Sequence, residues 1–313
     1  MERRRKYIAI VLFSALVVAY ESVTVEIALN TLSLDIFLVG SMPAIIAGFI
    51  MIALNPRPTA RLVKNLNRRE WAFISLLSIF AAVGVILWYD AVGKIGAGKE
   101  AILGGGSSEV LFVVVLSALF LGERLKRLEV LGSLLILLGV FLVLVNKDVL
   151  AITLGLGEIE AIVSSFFLGA SAVMMARVLK DYDVLPISGL ELVFSGLILL
   201  AIGIIMLPIA WPDLIGWLTM AGLGIFPALS IATYYAGLQG IGASMTSVLF
   251  SLSGILTVLA QVSILMIAPI DVTLPENLPL AIIGGIIAVI GVYLLNMRPR
   301  EDSKAVGKLI PPA

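Results

Sequence analysis

Acidic residues inside long apolar segments are the residues of this chain best suited to do chemistry. Glu109 lies in the middle of one such segment, directly after the glycine-rich stretch Gly104–Ser108, and Glu21 and Glu191 lie in two others. An ionisable side chain at the centre of a bilayer costs roughly 2.5–3.5 kcal/mol on insertion scales, so each needs a reason to be there. We predict that Glu109, Glu21 and Glu191 bind and release protons, and that Glu109 and Glu21 also contact a solute. The structural alternative is a carboxyl group that only bonds a neighbouring helix.

Aromatic and hydroxyl side chains accompany these carboxyl groups in the same apolar segments. We predict that eight of them bind a solute: Trp88, Tyr89, Ser107, Ser108, Tyr234, Tyr235, Ser251 and Ser253. The faces of aromatic rings attract cations, and hydroxyl groups can both donate and accept hydrogen bonds. The alternatives are aromatic anchors at the membrane interface and serine hydroxyls that bond their own backbone.

Further charged residues cluster on one side of the first four apolar segments. They are Glu26, Asp35, Asp90, Lys99 and Glu100. We expect these side chains to be solvated at the mouth of the protein. The alternative is that Lys99 pairs with Glu26 or with Asp90 and that the pair closes this side as a gate.

The elements that must position these residues are membrane-spanning helices. Hydrophobic residues make up 60% of the 313 residues and charged residues only 13%, against roughly a quarter charged in soluble domains. About 20 apolar residues cross the roughly 30 Å hydrocarbon core as a helix. We therefore predict an all-α membrane protein with ten transmembrane helices. They lie near residues 7–29, 35–54, 71–92, 98–121, 128–146, 155–179, 186–207, 214–237, 243–267 and 279–297.

The distribution of basic residues predicts the orientation of these helices. With the first segment starting in the cytoplasm, 18 of the 21 Lys and Arg residues fall on the cytoplasmic side, all but Lys94, Lys99 and Lys147. Cytoplasmic loops carry such an excess of positive charge. The sequence therefore predicts a multi-pass protein of the cell membrane with both termini in the cytoplasm.

The chain also contains a weak internal repeat. Ile95–Ala97 recurs as Ile241–Ala243, and Gly139 in one late helix corresponds to Gly291 in another. We predict two five-helix repeats and a polar cytoplasmic tail, at residues 1–147, 148–297 and 298–313. Because five is an odd number of crossings, the second repeat would be inverted relative to the first, as in many secondary transporters.

Composition excludes several kinds of partner and chemistry. The chain contains no His and no Cys, which removes the usual ligands for transition metals and the usual nucleophilic thiol. We therefore predict no metal and no cofactor. The net charge is zero, so no global positive field favours nucleic acid. The expected partners are a small-molecule solute and the lipid bilayer, and a homodimer stays open.

The stretch from Tyr89 to Leu144 resembles the EamA-type repeat of the drug/metabolite transporter superfamily. One helix ends in Tyr89-x-Ala91, the next in Phe-Leu-Gly-Glu-Arg-Leu at residues 120–125, and a third carries Leu-Gly…Gly-Val at residues 131–140. The resemblance implies two repeats, ten helices and the export or exchange of small metabolites, and makes Glu123-Arg124 a family hallmark. The chain departs from the family pattern at Val110 and Leu256, where a proline is frequent.

These observations favour a secondary-active transporter over an enzyme. We predict alternating access between the two repeats for a small neutral, zwitterionic or cationic metabolite such as an amino acid or drug. Export is the expected direction, and proton coupling would use the buried carboxyl groups. The alternatives are an uncoupled facilitator or exchanger with the same fold and a membrane enzyme that acts on a lipid carrier. The enzyme would need acids and phosphate-binding arginines near one interface, whereas the arginines here are scattered.

Overall fold

The described part of the molecule is entirely helical. The structure, a computed structural model, describes residues 2–121, 127–144, 154–206, 210–241, 243–267, 270 and 272–295. The helices are α1 (Glu2–Glu26), α2 (Ile36–Leu54), α3 (Pro56–Asn65), α4 (Arg68–Ile95), α5 (Ala97–Leu103), α6 (Glu109–Leu121), α7 (Arg127–Val143), α8 (Leu156–Val178), α9 (Val184–Met206), α10 (Leu214–Leu223), α11 (Ile225–Ile241), α12 (Ala243–Phe250), α13 (Ser253–Ile267) and α14 (Leu278–Leu295). Two π-helical turns, Ile27–Thr31 and Gly104–Ser108, follow α1 and α5.

The helices have the length and composition of a multi-pass membrane protein. Within the described residues, six stretches are long and apolar enough to cross a bilayer: Arg5–Thr31, Ile36–Leu54, Arg68–Ile95, Leu156–Val178, Val184–Met206 and Leu214–Ile241. Shorter apolar helices cover Leu131–Val143, Ser253–Ile267 and Leu278–Leu294. Each of the ten predicted segments overlaps a helix. The Glu123-Arg124 motif and the tail at 298–313 lie outside the described residues.

Helix α3 is an element that the apolar pattern did not predict. It is amphipathic and lies between two long apolar helices. Thr59 and Leu62 are buried, whereas Arg57, Arg61 and Lys64 are exposed. Because only one face is apolar, its hydropathy resembles that of a loop, and the sequence prediction treated it as one.

Polar residues set the ends of the helices that form the core. Asp35 caps α2 by accepting hydrogen bonds from the backbone N–H groups of Phe37 and Leu38, at 2.9 and 3.2 Å. Asn67 and Glu70 form a capping box at the start of α4, which satisfies N–H groups that a helix start leaves free. Gly96 separates α4 from α5 and has a φ of 80°. A residue with a side chain would be strained in this conformation, whereas glycine adopts it readily.

Helices α2 and α9 pack closely through small residues. A Cβ atom on Gly48 would lie 2.7 Å from the carbonyl oxygen of Gly189, and one on Gly196 would lie 2.8 Å from that of Ser41. The later part of α2 therefore contacts the earlier part of α9, and the reverse, so the two helices are antiparallel. Close backbone contact of this kind is how helices associate in lipid, where no hydrophobic force drives them together.

Helices α7 and α14 pack in the same reciprocal way. A Cβ atom on Gly139 would lie 2.5 Å from the carbonyl oxygen of Gly284, and one on Gly291 would lie 2.6 Å from that of Gly132. These contacts also make the pair antiparallel. Extensive packing of α4 on α8 and of α1 on α11 adds further contacts between the earlier and later halves of the chain.

We expect Gly139→Ala to destabilise the protein, because its methyl group would press on the backbone of α14. The cost is about 1–3 kcal/mol, as for overpacked cores, and thermal unfolding of the protein in detergent would show a lower midpoint. Gly222→Ala is the matched control, since a Cβ atom at this exposed position in α10 meets nothing within 4 Å. Its higher helix propensity should stabilise α10 by about 0.5–1 kcal/mol. Equal midpoints for the two variants would contradict the close contact of α7 with α14.

Candidate functional site

A cavity of about 140 Å³ lies at the centre of the helical bundle. Residues from both the earlier and the later halves of the chain line it, and most of them are apolar. Four carboxyl groups, from Glu21, Glu100, Glu109 and Glu191, also line it. No Lys or Arg is among the described residues that do so. The cavity is therefore an acidic, mostly apolar space that is large enough for several water molecules or a small solute.

Two of the four carboxyl groups accept hydrogen bonds from neighbouring side chains. Glu21 accepts from the hydroxyl of Tyr89 at 2.9 Å and from that of Ser230 at 3.3 Å. Glu100 accepts from the indole N–H of Trp88 at 2.7 Å. These bonds hold the aromatic rings against the carboxyl groups and define one wall of the cavity.

The other two carboxyl groups have no hydrogen-bond donor in the described part of the chain. The Glu191 side chain is only 2% exposed, and its Oε2 atom is buried without a partner. Glu109 is 9% exposed and accepts no bond from any described residue. A buried polar atom without a partner is costly, so these two groups are the ones a bound solute or proton would stabilise most.

A break in the fourth apolar segment brings two of these carboxyl groups to the cavity. Helix α5 ends at Leu103, the π turn Gly104–Ser108 follows, and α6 begins at Glu109. Nine residues of a regular α-helix at about 100° each would put Glu100 and Glu109 on opposite faces. The wider turn changes this register, and both side chains line the same cavity.

The serine hydroxyl groups of this turn donate hydrogen bonds to the backbone. Ser107 donates to the carbonyl oxygen of Ile102, and Ser108 donates to that of Leu103 at 2.6 Å. Neither residue lines the cavity, and Ser251 lines a narrow crevice beside it. The interpretation of these three serines as solute contacts therefore has no support in the geometry. Their hydroxyl groups are short enough to reach the preceding turn, which is the alternative that the sequence left open.

The remaining predicted site residues lie together around the cavity. Besides Glu21, Glu109 and Glu191, its lining includes Trp88, Tyr89, Tyr234, Tyr235 and Ser253. Tyr234 and Tyr235 come from α11, and Trp88 and Tyr89 come from α4. The two aromatic pairs therefore reach one space from different halves of the chain.

Glu100 is the cavity residue that the sequence prediction assigned wrongly. We expected it at a solvated mouth, but its side chain is 1% exposed and lines the cavity. Neighbouring Lys99 is also buried and pairs with Glu158 at 2.6 Å. The predicted pairs of Lys99 with Glu26 or Asp90 are therefore wrong. Residue spacing gave no sign of Glu158, because its position depends on how α8 packs beside α5.

Two other charged groups of this region form separate contacts. Lys94 bonds Asp90 at 2.8 Å and Glu160 at 2.6 Å. Glu26 accepts hydrogen bonds from the backbone N–H of Ala97 and from the side-chain amide of Gln261. The charges at this side of the protein thus connect helices that are distant in sequence.

The chain belongs to the EamA-like transporter family, which matches residues 5–145 and 155–297. It is 25% identical to an uncharacterized transporter of Methanothermobacter thermautotrophicus, over 82% of this chain and 77% of that protein. A crystal structure with 19% sequence identity is similar in fold, with a TM-score of 0.66 over 96% of this chain and 99% of that one. These matches confirm the family resemblance. The protein is a multi-pass membrane transporter, and the family and the relative point to a transporter rather than to an enzyme.

The acidity of the cavity can be tested with cysteine labelling, because the chain has no native Cys. Gly105 lines the cavity, and a Cβ atom there meets nothing within 4 Å. We expect the rate of Gly105→Cys with a cationic trimethylammonium methanethiosulfonate, divided by its rate with the anionic sulfonate analogue, to exceed the same ratio for free 2-mercaptoethanol about tenfold, because the cavity attracts cations.

Ala161→Cys is the control for this labelling, since Ala161 is fully buried in a core cluster away from the cavity. It should remain unlabelled by either reagent, as mass spectrometry of the intact protein would show. A faster reaction of Gly105→Cys with the anionic reagent would contradict an acidic cavity.

Proposed function

We propose that this protein is a secondary transporter that moves a small organic cation through the central cavity in exchange for protons. The observation that carries the proposal is the lining of the cavity: four carboxyl groups and five aromatic rings, with no basic side chain among its described residues. Of the neutral, zwitterionic and cationic solutes that the sequence left open, a cation best matches this lining. An anion would meet like charges without a counter-ion.

The aromatic rings support a solute with an organic rather than a metallic cation. Trp88 and Tyr89 lie 4.9 Å apart between ring centroids, and Tyr234 lies 4.7 Å from Phe250. Ring faces stabilise alkylammonium groups through cation–π attraction. Within the described residues, no three acidic side chains are placed to hold one metal ion.

The packing of the helices supports two inverted five-helix repeats as the moving parts. Helix α2 is antiparallel to α9, and α7 is antiparallel to α14. Under the repeat, α9 is the second copy of α2 and α14 the second copy of α7. Equivalent helices that run in opposite directions are what an inverted repeat requires. We therefore assign ten crossings, with repeats at residues 1–147 and 148–297 and both termini in the cytoplasm.

Proton coupling follows from the two carboxyl groups that lack donors. Glu109 and Glu191 are buried among apolar groups, where a charge is expensive without a counter-ion. Each can be neutralised by a proton or by a cationic solute, and one excludes the other. Alternating access would then exchange protons for solute across the cell membrane. With protons entering the cell, the exchange exports the solute.

Transport in proteoliposomes tests this proposal. Benzyltrimethylammonium is a suitable radiolabelled probe, because it is aromatic and permanently charged. An acidic lumen should drive its accumulation by wild-type protein, and Glu109→Gln should lower that accumulation about tenfold or more, as expected for the loss of one buried charge-assisted contact. Glu276→Gln, at an exposed position outside the cavity, should transport like wild type.

Two results would count against the proposal. Full gradient-driven accumulation by Glu109→Gln would exclude this carboxyl group from coupling. Saturable wild-type exchange that ignores the pH gradient would favour the uncoupled facilitator.

A further inference from the structure

The cavity contains two kinds of carboxyl group, and the difference carries information about the solute. Tyr89 and Ser230 donate to Glu21, and Trp88 donates to Glu100, at 2.7 to 3.3 Å. The protein itself therefore stabilises these two groups. Glu109 and Glu191 receive no such bond from the described residues, although both are at least nine-tenths buried. A bound solute must therefore supply the hydrogen-bond donors that these two carboxyl groups lack.

The two unpartnered groups reach the cavity from different elements. Glu109 begins α6, and Glu191 lies in the first half of α9. Tyr235 on α11 is within electrostatic range of both, whereas Tyr234 is within range of Glu109. Both tyrosines therefore interact with Glu109, and Tyr235 also interacts with Glu191.

Glu109 and Glu191 come from different helices and line one cavity, so a solute that neutralises both carries two positive charges. No three acidic residues of the described chain lie close enough to share a metal ion. A solute with one ammonium group would neutralise one carboxylate and leave the other without a partner in an apolar space, which is costly. Each of the two carboxylates therefore needs its own donor.

We propose that the cavity selects a linear diamine, with one ammonium group bound by Glu109, the other by Glu191, and the alkyl chain between them against Tyr234 and Tyr235. This inference rests on the proposed function as a carrier of organic cations and names the class of cation. Each ammonium carries three N–H donors, and a charge-assisted bond to a carboxylate is about twice as strong as a neutral one. The alkyl chain matches the mostly apolar lining.

The same lining argues against an amino acid as the preferred solute. An amino acid would bring a carboxylate along with its ammonium group. No Lys or Arg is among the described residues that line the cavity, so that carboxylate would be desolvated beside four acids. A diamine meets no such penalty.

Isothermal titration of the full-length protein in detergent tests the inference. Putrescine and cadaverine would be compared with n-butylamine and n-pentylamine, which have the same carbon counts but one charge, at fixed pH and ionic strength. We expect wild type to bind each diamine at least about tenfold more tightly than its matched monoamine, since a second buried charge-assisted contact forms. This comparison does not depend on any variant.

Substitution of each acid in turn tests whether both carboxyl groups bind the diamine. Glu109→Gln and Glu191→Gln preserve side-chain shape, and each should lower diamine affinity to about the level of the monoamine. Glu276→Gln, which alters an exposed acid outside the cavity, should leave both affinities unchanged.

Other outcomes distinguish this inference from the function on which it rests. Equal wild-type affinities for diamine and monoamine, with both weakened by Glu109→Gln, would overturn the diamine inference and retain a carrier of organic cations. A diamine preference that survives both single substitutions would also overturn it. Failure of wild type to bind either class of amine would remove the organic-cation function together with the inference.

Discussion

Backbone groups inside a membrane have no water to bond, so each must find a partner within the protein. The helix break between α5 and α6, on which the cavity depends, must meet this constraint. The π turn Gly104–Ser108 widens the helix, and the hydroxyl groups of Ser107 and Ser108 bond carbonyl oxygens of the preceding turn. The turn can therefore exist in lipid without exposing unpaired backbone groups. The turn also changes the helical register, so that Glu100 before it and Glu109 after it line the same cavity. Single π turns inside α-helices are frequent at functional sites.

The earlier and later halves of the chain contact each other through closely packed helices, in contrast to the break between α5 and α6. Glycine contacts between α2 and α9 and between α7 and α14 bring backbones together with little room for change, as the positions of Gly48 and Gly139 illustrate. Gly105, in contrast, has open space where its side chain would be. Close packing along these helix pairs and free volume in the cavity are compatible with halves that rock around a fixed site, as proposed for inverted repeats.

The sequence predicted an all-helical membrane protein, and eight of its eleven predicted site residues line the cavity, because both predictions rest on hydropathy. Buried acids such as Glu21 and Glu109 are conspicuous in apolar runs, and each predicted apolar segment overlaps a helix. What the sequence missed depends on three-dimensional register. Glu100 was misassigned because it lies in a cluster of charged residues near the end of an apolar segment, which is typical of a solvated mouth, whereas its side chain is buried and lines the cavity. The predicted partners of Lys99 were wrong because its actual partner, Glu158, comes close only when α8 packs against α5.

The hydrogen bonds of Glu21 connect the proposed binding site to the proposed motion. Glu21 on α1 accepts from Tyr89 on α4 and from Ser230 on α11, and Ser14 on α1 donates to the backbone of Ser230 at 2.7 Å. Helices α1 and α4 belong to the first half of the chain and α11 to the second. Any displacement of one half against the other must therefore stretch or replace the two bonds to Ser230. A solute or proton that competes for Glu21 changes the free energy of that displacement, and a ligand can shift a conformational equilibrium only through such a difference between states.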